Sequence, residues 1–467
     1  MARWMLAVSS MFAATPALAG SISAPGVIGG VDSGAATPNP AALHYNPAAI
    51  AASDGLDVMI DTQLAIVRVD VEATRNGGID PNTGKPYDLA MARKLVPVGI
   101  VGITYQAIED RLTFGLGVTD SFVGGGDYTS SENNPPPYTS HQRYHIIDTA
   151  IITATFTAGA GVTIVDGFHV GGGAQYVMDS ISIHRASDPL GTEGVPAAEL
   201  AMEVPDNPYS DDIYLTGKAG GHHFGWNAGI FIDKVKEFQF GISYTSGGTF
   251  STEGEGEVEA PPTWGGVTVP SKLGVDMKLP PVIRANVKSQ VSDKVSVGAG
   301  IEYQLWNVCC GDEEGDILLR ITNENGDELG PDDGLGLSVS SENYAPRRLW
   351  NAMNLSGTTG LQANDKLWAG LRVNYNQYAV PDYAVNPTNL DFANVGAMIG
   401  GRYNVGGPVH LGLAYSKFLL FTRDVETAWN LQDGNERFSP EYPFLTSGDG
   451  VYSGAVDIIG FQLQIDS

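Results

Sequence analysis

"QVSDKVSVGAGIEYQLW", residues 290–306, carries the two features on which the fold turns. After the polar pair Ser292-Asp293, Val295, Val297, Ala299, Ile301, Tyr303 and Leu305 alternate with Ser296, Gly298, Gly300, Glu302 and Gln304. A period of two sends successive side chains to opposite faces of a strand, here one apolar and one polar. The turn before it is too short for anything but a hairpin between antiparallel strands. Leu367, Ala369, Leu371, Val373 and Tyr375 repeat the pattern against Arg372, Asn374 and Asn376. Ile459, Phe461, Leu463 and Ile465 do so against Gly460, Gln462, Gln464 and Asp466.

Fourteen such segments run from Leu56 to the end: roughly 56–73, 95–107, 111–123, 142–158, 167–184, 212–232, 237–253, 272–292, 294–308, 346–361, 366–379, 391–405, 408–423 and 451–466. The first is irregular and reads as changing register near Ile66. The connections are sorted by parity. Ile108-Glu109-Asp110, Asp233 to Lys236, Ser292-Asp293 and Gln362 to Asp365 are short, whereas about 74–94, 124–141, 185–211, 254–271, 309–345, 380–390 and 424–450 are long. Long loops at one end and short turns at the other are the layout of an outer-membrane barrel, and a soluble sandwich has no reason to sort them so. The expectation is an all-β chain: a 14-stranded antiparallel transmembrane β-barrel over 56–467, with both ends in the periplasm.

Composition agrees. Among 467 residues, 59 are Gly and only 17% are charged, which suits close strand packing. A net charge of −27 excludes nucleic acid as a partner, since that needs a basic footprint. Arg3, the apolar run Trp4 to Ala14 and Ala17-Leu18-Ala19 predict a secretory leader over 1–19, cleaved after Ala19. The two cysteines, Cys309 and Cys310, are adjacent and cannot staple distant segments.

Between leader and barrel, residues 20–55 contain Asn39-Pro40-Ala41-Ala42 and Asn46-Pro47-Ala48-Ala49. Asn caps a helix start and Pro suits its first position, so 39–53 reads as two short helical turns. A barrel of fourteen strands leaves a lumen, and this segment cannot lie in lipid as irregular chain. It is predicted to be a hatch inside the lumen, with Asn46, Pro47 and Ala48 as its gating element.

Catalytic chemistry has no carrier. There is no nucleophile elbow, and His141 and His145 lack the Glu of a zinc-protease helix, which leaves them as loop-rim residues. No cofactor, metal or enzymatic activity is expected. Loop 309–345 holds ten carboxylates against Arg320 alone, which reads as a solvated acidic face or as a divalent-ion bridge to lipid headgroups. On lumenal parity, Trp306, Trp368, Met398 and Phe418 offer an apolar lining. Arg284, Arg372 and Arg402 are candidates to meet a carboxylate or to form a lumenal ion-pair network.

The stretches "YNPAA" (45–49), "FGISYTSGGTFSTEGEGEV" (240–258), "LPPVIRANVKSQVSDKVSVGAGIEYQLWNV" (279–308), "LWAGLRVNYNQYAVPD" (367–382) and "HLGLAYSKFLLFTRDV" (410–425) resemble, in order, the FadL family of outer-membrane transporters. Two departures are Ala49, where the family has Gly, and the ending Ile465-Asp466-Ser467, where it has an aromatic residue. The resemblance implies passive uptake of hydrophobic molecules, long-chain fatty acids first among them, by a monomer surrounded by outer-membrane lipid of a Gram-negative bacterium. The alternative is a structural or adhesive barrel that displays acidic loops without transport.

Overall fold

The computed structural model describes residues 29–74, 78–80, 85–87, 89–128, 141–187, 212–235, 237–262, 265–310, 317–335, 339, 341–345, 349–387, 389–426 and 448–466. The leader 1–19, the start of the hatch and the acidic run 312–316 lie outside these residues.

The wall is one closed antiparallel sheet. Its strands are β1 Leu56–Ala73, β2 Ala90–Ile108, β3 Leu112–Asp127, β4 Asp148–Val165, β5 Phe168–Ser187 and β6 Ile213–Val235. β7 comes in two halves, Phe238–Thr245 and Gly248–Glu259, as does β8, Thr268–Leu279 and Val282–Ser292. β9 Val295–Gln304, β10 Ala352–Gln362, β11 Leu367–Asn376, β12 Asn394–Gly406, β13 Val409–Val425 and β14 Gly450–Asp466 complete it. Each strand pairs with the next over at least part of its length, and β14 pairs with β1 from Asp57↔Asp466 to Ala73↔Gly450, which closes the ring. Turns at 109–111, 166–167, 236–237, 293–294, 363–366 and 407–408 gather at one end and the long connections at the other.

Several boundaries differ from the sequence reading. β2 begins at Ala90, and β4 begins only at Asp148, after a 3-10 turn His141–Tyr144. β7 breaks at Ser246-Gly247, and β8 at Pro280-Pro281, where two successive residues lack an N–H to donate. Beyond its break β8 leaves β9 and pairs with an extra strand, Ile317–Thr322, from the long β9–β10 connection. β9 stops at Gln304, and Trp306 opens a short helix, Trp306–Cys310.

The register change expected near Ile66 does not occur. β1 alternates without interruption, with Asp57, Met59, Asp61, Gln63, Ala65, Val67, Val69 and Val71 all buried inside. What changes is the surroundings of each face. Outward residues are apolar from Leu56 to Ile66, apart from Thr62, and then become Arg68, Asp70 and Glu72, while the lumen turns from polar to aliphatic at that height. Ten residue steps of a strand tilted near 40° span about 25 Å, the height of an outer-membrane apolar band. The barrel therefore stands above the membrane by the outer part of its strands.

Ile60 lies midway up this band and is exposed outward. Ile60→Arg is expected to cost about 2–4 kcal/mol in unfolding free energy measured in lipid vesicles. Arg68→Gln, above the band, is expected to leave this free energy within about 1 kcal/mol. Equal losses for the two would displace the band from where β1 puts it.

Candidate functional site

The hatch is built from the two predicted turns. Ala42–Tyr45 is a single α-helical turn and Pro47–Ala52 a 3-10 turn. The Asn46 side chain accepts from Ala48 N–H at 3.2 Å, as a cap should, and donates to Ala35 O (2.7 Å) and Ile230 O (3.0 Å). It therefore joins the turn, the hatch's first loop and the wall. Pro47 and Ala48 are fully packed behind it.

Wall side chains supply most of the hatch's remaining partners. Asn227 donates to Leu43 O, Ser243 to Tyr45 O, and Asn286 accepts from Ala35 N–H. Backbone approaches backbone at lumenal glycines. A Cβ on Gly241 would lie 1.7 Å from Ala35 O, and one on Gly171 would lie 2.5 Å from Ala48 N. The glycine-rich wall of β3–β7 is thus a seat, and the hatch is pressed into it.

The structure places the three candidate arginines around this plug. Arg284 is buried and ion-paired to Glu302 at 2.7 Å, donates to Thr245, and lies 3.4 Å from His44 Nε2 and 6.0 Å from the Tyr45 ring. Burial first and the Arg284 charge second push the His44 imidazole down to about 3, so it is neutral in the hatch. Arg372 donates to Ser33 O at 2.8 Å and to Asn374. Arg402 lies 5.7 Å over the Trp368 ring. That pair borders a small, partly open pocket between the wall and the hatch's first residues, lined also by Gly30, Asp32, Asp61 and Gln462. Burial raises the Asp32 carboxyl, but the charges of Lys288 (3.3 Å away) and Arg402 outweigh it and hold it below the ordinary carboxylate value.

Above the hatch the lumen is greasy. One cluster joins Val67, Val69 and Val71 of β1 to Trp306, Met398, Phe418 and Tyr452, and Trp368 packs against it lower down, beside Val31 of the hatch. A second cluster, on β4–β8 and the extra strand, holds Ile181, Leu215, Phe250, Leu273 and Met277.

Sequence reasoning missed Arg185. It follows Ile181 and Ile183 on the lumenal face of β5, opposite Leu215 of the second cluster. Its Nε is buried and has no hydrogen-bond partner among the described residues. Strand parity alone points to it: it is the one Lys or Arg on the inward face of β5. His145, placed by the sequence at a loop rim, is buried, because Arg143 turns inward to an ion pair with Asp212 at 2.6 Å and draws Gln142 and Ile146 in with it. Among the described residues, no cluster of three or more His, Cys, Asp or Glu side chains could hold a metal ion.

The wall also has a seam. β2 and β3 pair from Ile108↔Leu112 only as far as Ile100↔Thr119. Beyond that, Ala90–Gly99 stays with β1 and Asp120–Asp127 goes with β4 after a bulge at Asp120. Asp120 accepts from Gly99 N–H at 3.2 Å at the foot of the gap, and Lys94 reaches Asp148 of β4 at 3.2 Å higher up.

The closed 14-stranded barrel agrees with what the comparisons return. The family described as outer membrane protein transport protein (OMPP1/FadL/TodX) matches residues 5–308. Among solved structures, a Pseudomonas aeruginosa FadL homologue is similar with a TM-score of 0.71 at 16% identity, over 97% of this chain and 100% of that one. The P. putida toluene transporter TodX gives 0.63 at 15% identity, over 97% and 99%. The CymD monoaromatic hydrocarbon channel gives 0.62 at 14% identity, over 97% and 99%. No curated protein matches the chain. The chain belongs to the OMPP1/FadL/TodX family and is a Gram-negative outer-membrane channel for hydrophobic compounds.

Proposed function

We propose that the cargo is a long-chain fatty acid, taken up passively by a monomer. The observation that carries this reading is Arg185, an inward cation whose buried Nε has no hydrogen-bond partner among the described residues, at the edge of an aliphatic cluster. Removing an unpaired charge from water is costly, and a monoaromatic hydrocarbon would offset it only by a cation–π contact of about 2 kcal/mol. A carboxylate would offset it with the strength of a charge-assisted hydrogen bond. At about 0.8 kcal/mol per buried CH₂, a sixteen-carbon tail carries on the order of 10 kcal/mol of preference for apolar surroundings, which the two upper clusters provide.

In this reading Trp306, Met398 and Phe418 contact the tail, and Arg402 with Trp368 forms a second polar station beside the hatch. Arg284 and Arg372 clamp the hatch, while Asn46, Pro47 and Ala48 set its position. The seam between β2 and β3 is a way from the upper lumen into the bilayer that leaves the hatch in place, since open strand edges in lipid invite displacement.

Arg185→Met tests the cargo class. Oleate binding to the purified barrel is expected to weaken about tenfold or more, the worth of one charge-assisted bond, with toluene uptake unchanged. Unaltered oleate affinity, or toluene displacing oleate from the unaltered protein at equal concentration, would reject the fatty-acid reading and leave an aromatic cargo.

A further inference from the structure

The outer surface carries a second recognition feature, separate from the lumen and independent of the cargo. Just above the apolar band, Arg68 of β1 and Arg93 of β2 stand directly opposite each other in the ladder, both pointing outward. Like charges in that position repel, so the pair needs anions. Asp457 of β14 takes Arg68 Nη2 at 2.7 Å, together with the Tyr415 hydroxyl and Lys417 Nζ (3.4 Å) from β13. Asp70 takes Arg93 Nη2 at 2.6 Å. Three cations thus share two carboxylates. The next outward carboxylate on β1, Glu72, lies four residues past Arg68, farther from the membrane. The cations stay accessible: the side chains of Arg68 and Lys417 are 49% and 48% exposed, and that of Arg93 is 37% exposed.

This is a local positive surface on a chain of net charge −27, placed where the band ends and the lipid headgroups begin. The opposite side differs at the same stage of its strands. The outer half of β7 turns Glu253, Glu255, Glu257 and Glu259 outward, with Lys218 and Lys272 flanking Glu255 alone. The outer leaflet of this membrane is built of phosphorylated glycolipid. A phosphate monoester carries nearly two charges and accepts from two guanidinium groups at once, which an isolated carboxylate on either flank does not.

We propose that Arg68, Arg93 and Lys417 form a docking site for the phosphate of an outer-leaflet glycolipid, which fixes that lipid against the β13–β2 face of the barrel. Its phosphate bridges the two arginines, and its acyl chains lie down the apolar strip formed by Ile66, Leu64, Leu95 and Ile459.

The test is native mass spectrometry of the full-length barrel in detergent, titrated with a bis-phosphorylated diglucosamine lipid and with the same lipid stripped of phosphate. At least tenfold greater retention of the phosphorylated form is expected. Arg68→Gln with Arg93→Gln and Lys417→Gln should abolish that preference, whereas Lys218→Gln with Lys272→Gln on the acidic side should keep it. Equal retention of the two lipids by the unaltered protein would overturn the proposal without recourse to any variant. So would a triple variant that keeps the preference, or full displacement of the lipid by millimolar inorganic phosphate, which would make the patch a soluble-anion site.

Discussion

Gly241→Val is expected to turn a closed channel into a leaking one while leaving the barrel standing. The new Cβ would fall 1.7 Å from the Ala35 carbonyl oxygen and 2.4 Å from its carbon, and neither is a flexible side-chain tip that could swing away. The strand cannot retreat, because this half of β7 pairs with β6 on one side and β8 on the other. The hatch must move. Ala35 is tied to the wall by its N–H to Asn286 and to the hatch's own Asn46 by its carbonyl, so displacement breaks the first bond and strains the second, each worth about 0.5–1.5 kcal/mol. Strand pairing and the lipid-facing band take no part in this seat. Migration of the folded barrel in a heat-modifiability gel should therefore be unchanged, and single-channel conductance in planar bilayers should rise severalfold. Gly172 is the control: it faces outward from β5, and Gly172→Val should alter neither readout. Unchanged conductance in Gly241→Val would mean that the seat does not hold the plug.

Arg284→Met should give the largest loss of stability among lumenal substitutions. Arg284 and Glu302 face each other across the β8–β9 ladder and are both mostly buried, so removing the guanidinium strands a carboxylate away from water. Breaking such a pair from one side costs about 3–5 kcal/mol. Gln304 and Asn354 still donate to Glu302, at 2.8 and 3.3 Å, which puts the expected value at the lower end of that range. Adding Glu302→Gln should recover most of the loss, because no charge is then left uncompensated. The measurement is urea unfolding in lipid vesicles. A single variant within about 1 kcal/mol of the parent, the worth of an exposed pair, would show that the pair is open to water.

The number of strands and their orientation were legible because lipid and lumen impose a period of two, and because turn length follows the side of the membrane. The first strand shows the limit of that logic. Parity tells which residues share a face, but the solvent on each face changes with height. The first strand therefore read as changing register near Ile66, when Val67, Val69 and Val71 continue along the lumenal face. The breaks in β7 and β8 had their signals in Gly247 and Pro280-Pro281, yet a strand long enough to cross twice hid them. The two short turns were legible from Asn39-Pro40 and Asn46-Pro47, since capping is local chemistry. Their seat was not, because a glycine facing the lumen and one facing lipid are the same letter. The inward direction of Arg284, Arg372 and Arg402 followed from parity. Their partners did not, because Ser33, His44 and Tyr45 come from a segment that pairs with no strand in register.

The hatch's bonds reach far along the chain. Leu43 and Tyr45 depend on residues 184 and 198 positions later, Ala35 on one 251 later, Ser33 on one 339 later and Gly29 on Gln462, 433 positions later. Contacts of such sequence separation form late, since every loop they close must first be drawn together. The segment that is synthesised before the wall can therefore settle only after β6, β7, β8, β11 and β14 stand in place to receive it. Each molecule passes through an open cylinder on its way to becoming a filled one, and the interval between closure of the ring and arrival of the N-terminal segment is a time in its life when the membrane around it is pierced.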